Sequence, residues 1–157
     1  KINLSEAAIY RHFKNKEAII NGLLSKVFDK GNLNLNTNRS LEDILKYIME
    51  AHVKKLKKDP YLVSLIFQEE IFREYPDIQK RFIKYRKNKQ EIIEKLIKKE
   101  QNAKKIPGDI DPSSFAIIFM GSIRMLVLKW ESQGFKSSIE EQSEKVLNEI
   151  LKLLRRR

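Results

Sequence analysis

The sequence predicts an all-α protein, a set of long helices with no sheet. Only five Gly and four Pro interrupt 157 residues, so the tight turns that a sheet protein needs are scarce. Lys, Glu, Leu and Ile are abundant, and the straight-chain residues among them lose little side-chain freedom in a helix. Apolar residues recur at spacings of three and four, in segments that each open at a recognisable cap.

Ser5 can cap a short helix reaching about Phe13. Asn15 caps a second, to about residue 30, with Ile19, Ile20, Leu23, Leu24 and Val27 on one face; Gly31 and the Asn-rich stretch Asn32 to Asn38 end it. Ser40 with Asp43 resembles a capping box built with the shorter acid, and it opens a helix that turns Leu41, Ile44, Leu45, Ile48 and Met49 inward. Lys54, Lys55, Lys57 and Lys58 close that helix, where cations complement its dipole. Asp59-Pro60 starts a helix through about Phe72, and Tyr75-Pro76 a long one to about Ala103, stopped by Ile106-Pro107-Gly108. Asp111-Pro112 opens an apolar helix that runs to about Ser132 and ends at Gly134. Ser138 and Glu141 form a capping box ahead of Val146, Leu147, Ile150, Leu151 and Leu154. Seven helices and no strand are expected.

Lys and Arg outnumber Asp and Glu by 32 to 21, a formal net charge of +11, which suits a polyanionic partner but also follows from solubility or adaptation to heat. Cysteine is absent, which excludes disulfides and thiolate metal sites and permits a reducing cytoplasm; His12 and His52 are too few for a His-rich metal site. The most apolar stretch, Phe115 to Leu128, is broken by Ser122 and Arg124 and is shorter than the ~20 residues a bilayer requires, so no membrane partner is expected.

The opening residues Asn3 to Lys16 place a turn residue before a capped helix of barely two turns, with a second cap immediately after it. Such a helix needs packing from Leu4, Ala8, Ile9 and Phe13, while its other face offers Glu6, Ala7, Tyr10, Arg11 and His12, groups suited to a major groove. Here the chain resembles the TetR family of transcriptional regulators, whose helix-turn-helix ends in a pattern close to Gly-Val-Ser, two residues, Ala-Ile-Tyr, one residue, His-Phe, two residues, Lys. Tyr10, His12, Phe13, Asn15 and Lys16 fall in register, and the match runs from Asn3 to about Leu24. Asn3 stands where Gly is usual, and Asn is the next residue able to adopt positive φ.

The resemblance implies that residues 1–31 are the end of a DNA-binding module and 40–157 a helical ligand-binding and dimerisation bundle. It implies that Glu6, Ala7, Ala8 and Arg11 face bases, while Ser5, Tyr10, His12 and Lys16 approach phosphates. The scaffold helices that the family places before the recognition helix would precede Lys1, and without them the chain is expected to bind DNA weakly or not at all. The implied protein is a homodimer on a palindromic operator, a repressor released by a small, largely apolar effector. The helix from Asn15 is expected to carry the signal.

In the body, Phe67, Phe72, Phe82, Tyr85 and Phe119 are ordinarily core residues, but they also make an apolar effector pocket conceivable. Arg124 sits between Ile123 and Met125, so it should meet Glu69 or Glu70, an anionic ligand group, or solvent at a helix edge. The helix from Ser113 to Trp130 is apolar around most of its circumference, which points Phe115, Ser122, Leu126 and Trp130 towards a second subunit. The final stripe of Val146, Leu147, Ile150, Leu151 and Leu154 either joins an intersubunit four-helix bundle or closes the monomer core.

No nucleophile elbow, phosphate-cradling Gly loop or His-Glu metal motif is present, so neither an enzyme nor a cofactor is expected. The other alternative is a helical sensing or protein-interaction module that does not touch DNA.

Overall fold

A computed structural model describes residues 11–28, 39–60 and 72–155. They form five helices: α1 (Lys16–Phe28), α2 (Leu41–Lys58), α3 (Pro76–Asn102), α4 (Pro112–Ser132) and α5 (Ile139–Arg155), with no strand among the described residues. The helices expected over 5–9 and 61–71, and the ending of the second helix at Gly31 to Asn38, lie outside them.

The caps act where the sequence puts them. Asn15 Oδ1 accepts from the Ala18 N–H at 2.8 Å, Asp111 Oδ2 from Ser114 N–H at 2.7 Å, and Ser138 Oγ from Glu141 N–H at 3.2 Å. Ser40 Oγ accepts from the Asp43 N–H and donates to Asp43 Oδ2 at 2.6 Å, so the short acid reaches the capping hydroxyl. Asp59 closes α2, its N–H bonding to Lys55 O. Helix α3 stops at Asn102, ahead of the Pro-Gly pair, because Lys104 takes left-handed φ of 55° and the Lys105 N–H returns to Glu100 O at 3.0 Å.

The main core joins α2, α3, α4 and α5. Leu41, Ile44, Leu45, Ile48 and Met49 are buried as their spacing predicts, and Ile93, Ile97, Phe115, Phe119 and Ile123 pack against them. A second cluster of Val53, Leu56, Val127, Trp130 and Ile139 closes one end, where Trp130 Nε1 donates to Ser137 O at 2.9 Å and Phe135 meets the indole edge-on. At 21 residues α4 is long and apolar enough to cross a bilayer by composition, contrary to the expectation from its uninterrupted apolar run. Seven of its side chains nevertheless pack inside this chain, as in the core helix of a helical bundle.

Candidate functional site

The joint between α1 and the body has the most specific geometry. Leu24 is buried at 3% exposure in a cluster with Phe72, Ile78 and Phe82, flanked by Ile20 and Tyr75. Phe72 and Phe82 stack with ring centroids 5.2 Å apart, and the Arg86 guanidinium lies 5.1 Å over the Phe82 ring. Beside the apolar contact, Arg81 Nη1 donates to Asn21 Oδ1 at 3.0 Å. Helix α1 is therefore held by the first turns of α3 through both apolar packing and a hydrogen bond. On the opposite side Phe13 reaches α1: a Cβ built on Gly22 would sit 3.0 Å from Phe13 Cε1, so the ring is seated over the glycine.

Of the residues expected at DNA, Arg11, His12 and Lys16 are exposed around the start of α1. Ser5, Glu6, Ala7, Ala8 and Tyr10 lie outside the described residues.

The residues expected to line an effector pocket are not brought together. Phe72 and Phe82 belong to the α1 joint, and Phe119 is fully buried in the main core. Tyr85 is half-buried on α3, and Arg124 is half-buried on α4. Phe67, Glu69 and Glu70 lie outside the described residues. A group that sequence reasoning missed surrounds Tyr85. Lys89 Nζ lies 5.4 Å over its ring, and on α2 the His52 Nδ1 donates to Ile48 O at 2.7 Å. Burial, and then the nearby Lys89 and Lys55 charges, hold the His52 imidazole below its usual proton affinity. Burial and Lys55 likewise lower the Lys89 ammonium, and burial raises the Tyr85 phenol.

The residues expected at a subunit interface are mostly inside the monomer. Phe115, Leu126 and Trp130 are buried, and Ser122 Oγ donates back to Phe119 O at 2.7 Å. On α5, Leu147, Ile150, Leu151 and Leu154 are buried and Val146 half-buried in the same core, so that stripe closes the monomer. The apolar surface of α4 is instead Ile117, Ile118 and Met125, exposed at 60%, 51% and 62%, with open space over Gly121 between them. A helix apolar nearly all round gives no phase by which to tell the inner from the outer face. A groove of about 550 Å³ along α5 is lined by Lys145, Asn148, Glu149, Leu151, Lys152 and Arg155, a mainly polar surface unlike an apolar pocket.

The model of the YsiA-like protein C-terminal region, a TetR C-terminal domain family, matches residues 20–153. The chain belongs to the TetR family. Among solved structures this TetR-family chain is similar to the fatty acid degradation regulator FadR of Bacillus halodurans, at 20% identity and a TM-score of 0.73 over 98% of this chain and 81% of that one. It is also similar to the transcriptional regulator FadR of Bacillus subtilis, solved in complex with stearoyl-CoA, at 17% identity and a TM-score of 0.72 over 96% of this chain and 82% of that one. No curated protein sequence matches it. The shared fold is the all-helical one described above.

Proposed function

We propose that this TetR-family protein is a ligand-responsive transcriptional repressor. It acts as a cytoplasmic homodimer that binds a palindromic operator through residues 1–31, and a long-chain amphiphile of the acyl-CoA class releases it. The observation that carries this reading is the grip of α3 on α1, through Leu24 in its aromatic cluster and Arg81 on Asn21. A shift of α3 within the body moves the helix that follows the exposed Arg11 and His12, so the spacing of two DNA-binding modules depends on the state of the body. The effector class is drawn from the Bacillus subtilis FadR complex with stearoyl-CoA.

The exposed strip of Ile117, Ile118 and Met125 around Gly121 is the face assigned to the second subunit. Solvated apolar side chains gain on burial at about 25 cal/mol per Å², and a glycine between them lets two backbones approach.

Selection of genomic fragments by the protein expressed from its complete gene, alongside Arg11→Ala, tests the DNA half. Recovery of a palindromic site whose affinity drops about 5- to 150-fold on the substitution is expected, as a lost bidentate base contact costs about 1–3 kcal/mol. Binding that is blind to sequence and fades with salt sinks the reading, and leaves a sensing module without DNA.

A further inference from the structure

Helix α2 carries His52 and Lys55 one turn apart, and α3 carries Tyr85 and Lys89 one turn apart. The two pairs face each other across the α2–α3 contact. Lys55 is exposed, while His52, Tyr85 and Lys89 are half-buried, so the group forms a corner open on one side. The Lys89 ammonium is fixed over the Tyr85 ring, and the His52 ring is fixed by its bond to Ile48 O. Two ammonium groups that repel each other in a partly desolvated corner create a positive potential that an arriving anion relieves. Tyr85 supplies an aromatic wall and a hydroxyl, and the imidazole can take up a proton as negative charge approaches.

We propose that this corner binds the anionic head group, carboxylate or phosphate, of the effector. The inference rests on the amphiphilic-effector reading above and assigns its charged end to Lys55, Lys89, Tyr85 and His52. The place also has a mechanical consequence. Tyr85 and Lys89 lie one and two turns beyond Phe82, on the helix whose Ile78, Arg81 and Phe82 hold α1. An anion that draws Lys55 and Lys89 together therefore pulls on the segment of α3 that grips the DNA-linked helix.

The test measures binding of three probes by the full chain: stearoyl-CoA, octadecanoate and the uncharged octadecanol. The double variant Lys55→Gln/Lys89→Gln is compared with Lys87→Gln/Lys95→Gln, which removes the same charge from exposed positions of α3. Lys89→Arg serves as the conservative rescue, and unchanged helical circular dichroism confirms that each variant folds. The expected result is a tenfold or greater weakening of both charged probes in the Lys55/Lys89 variant alone. Octadecanol binding should be unaffected, and Lys89→Arg close to the wild type. Equal binding by that variant and the wild type overturns the proposal, as does equal weakening of octadecanol or of the control pair. Failure of the wild type to bind either charged probe overturns it too. If octadecanol still binds in that case, only the anionic corner fails; if it does not, the long-chain effector fails with it.

Discussion

A methyl group added at Gly22 would press on Phe13, whose ring has no room to stay 3.0 Å away. Alanine gains about 0.5–1 kcal/mol of helix propensity at that position, so Gly22→Ala should leave the thermal midpoint of the body nearly unchanged. Operator affinity should nevertheless fall severalfold, because the residue displaced is the last apolar anchor of the preceding helix; a fluorescence anisotropy titration checks this. A second single position carries strain of its own. Lys104 holds φ of 55° at the end of α3, a conformation that costs a side-chain-bearing residue about 1–2 kcal/mol. Lys104→Gly is expected to raise stability by about 1 kcal/mol in urea unfolding, the lost side-chain strain exceeding the added entropy of the unfolded chain. The caps at Asn15, Ser40, Asp111 and Ser138 were legible because a side-chain oxygen next to a helical run has one good use. Lys104 was not legible, since nothing in its chemistry announces the left-handed region and Gly108 seemed the natural stop.

Between elements, the joint of α1 and α3 is the feature to perturb. Leu24→Ala removes a side chain buried among Phe72, Ile78 and Phe82, and a change of that kind costs about 2–5 kcal/mol where the site cannot collapse. The loss should appear as early exchange of α1 amides, with α4 and α5 still protected, and as an operator affinity that no longer responds to effector. Helices α2 and α5 are tied differently, by Arg155 donating through Nε and Nη2 to both carboxylate oxygens of Glu42 at 2.8 and 2.6 Å. Those hydrogen bonds hold Glu42 below its ordinary carboxylate range. A lowered folded-state value means the contribution is complete above the unfolded carboxylate range and is lost as pH falls through the lowered value. The gap in thermal midpoint between wild type and Glu42→Gln should therefore be widest near neutrality and vanish on acidification to about pH 3. The Leu24 face could be read from its 3–4 spacing, but Asn21 and Arg81 are 60 residues apart, and no local pattern pairs them.

At the scale of the molecule, one helix defeats sequence reading in a way that explains most of the misplaced interface. Helix α4 is apolar on every side, so periodicity gave the element without its phase. Phe115, Leu126 and Trp130, drawn as intersubunit contacts, are core, whereas Ile117, Ile118 and Met125 form the surface. The amphipathic α5 could be phased, and its alternative role, closing the monomer, is the one its stripe has. Ile118→Asp/Met125→Asp should yield a folded monomer in sedimentation velocity, with half-site DNA binding only. Retention of a dimer would move the interface elsewhere.

The central claim is that the body's ligand state is transmitted through α1 to DNA. Its most direct measurement is operator affinity of the protein from its complete gene, with and without saturating stearoyl-CoA, at one salt concentration. The expected result is a weakening of about 5- to 150-fold, the range of ordinary coupling energies. It should be abolished in Leu24→Ala while stearoyl-CoA binding persists. An operator affinity that stays the same in the two conditions, with stearoyl-CoA demonstrably bound, would contradict the account.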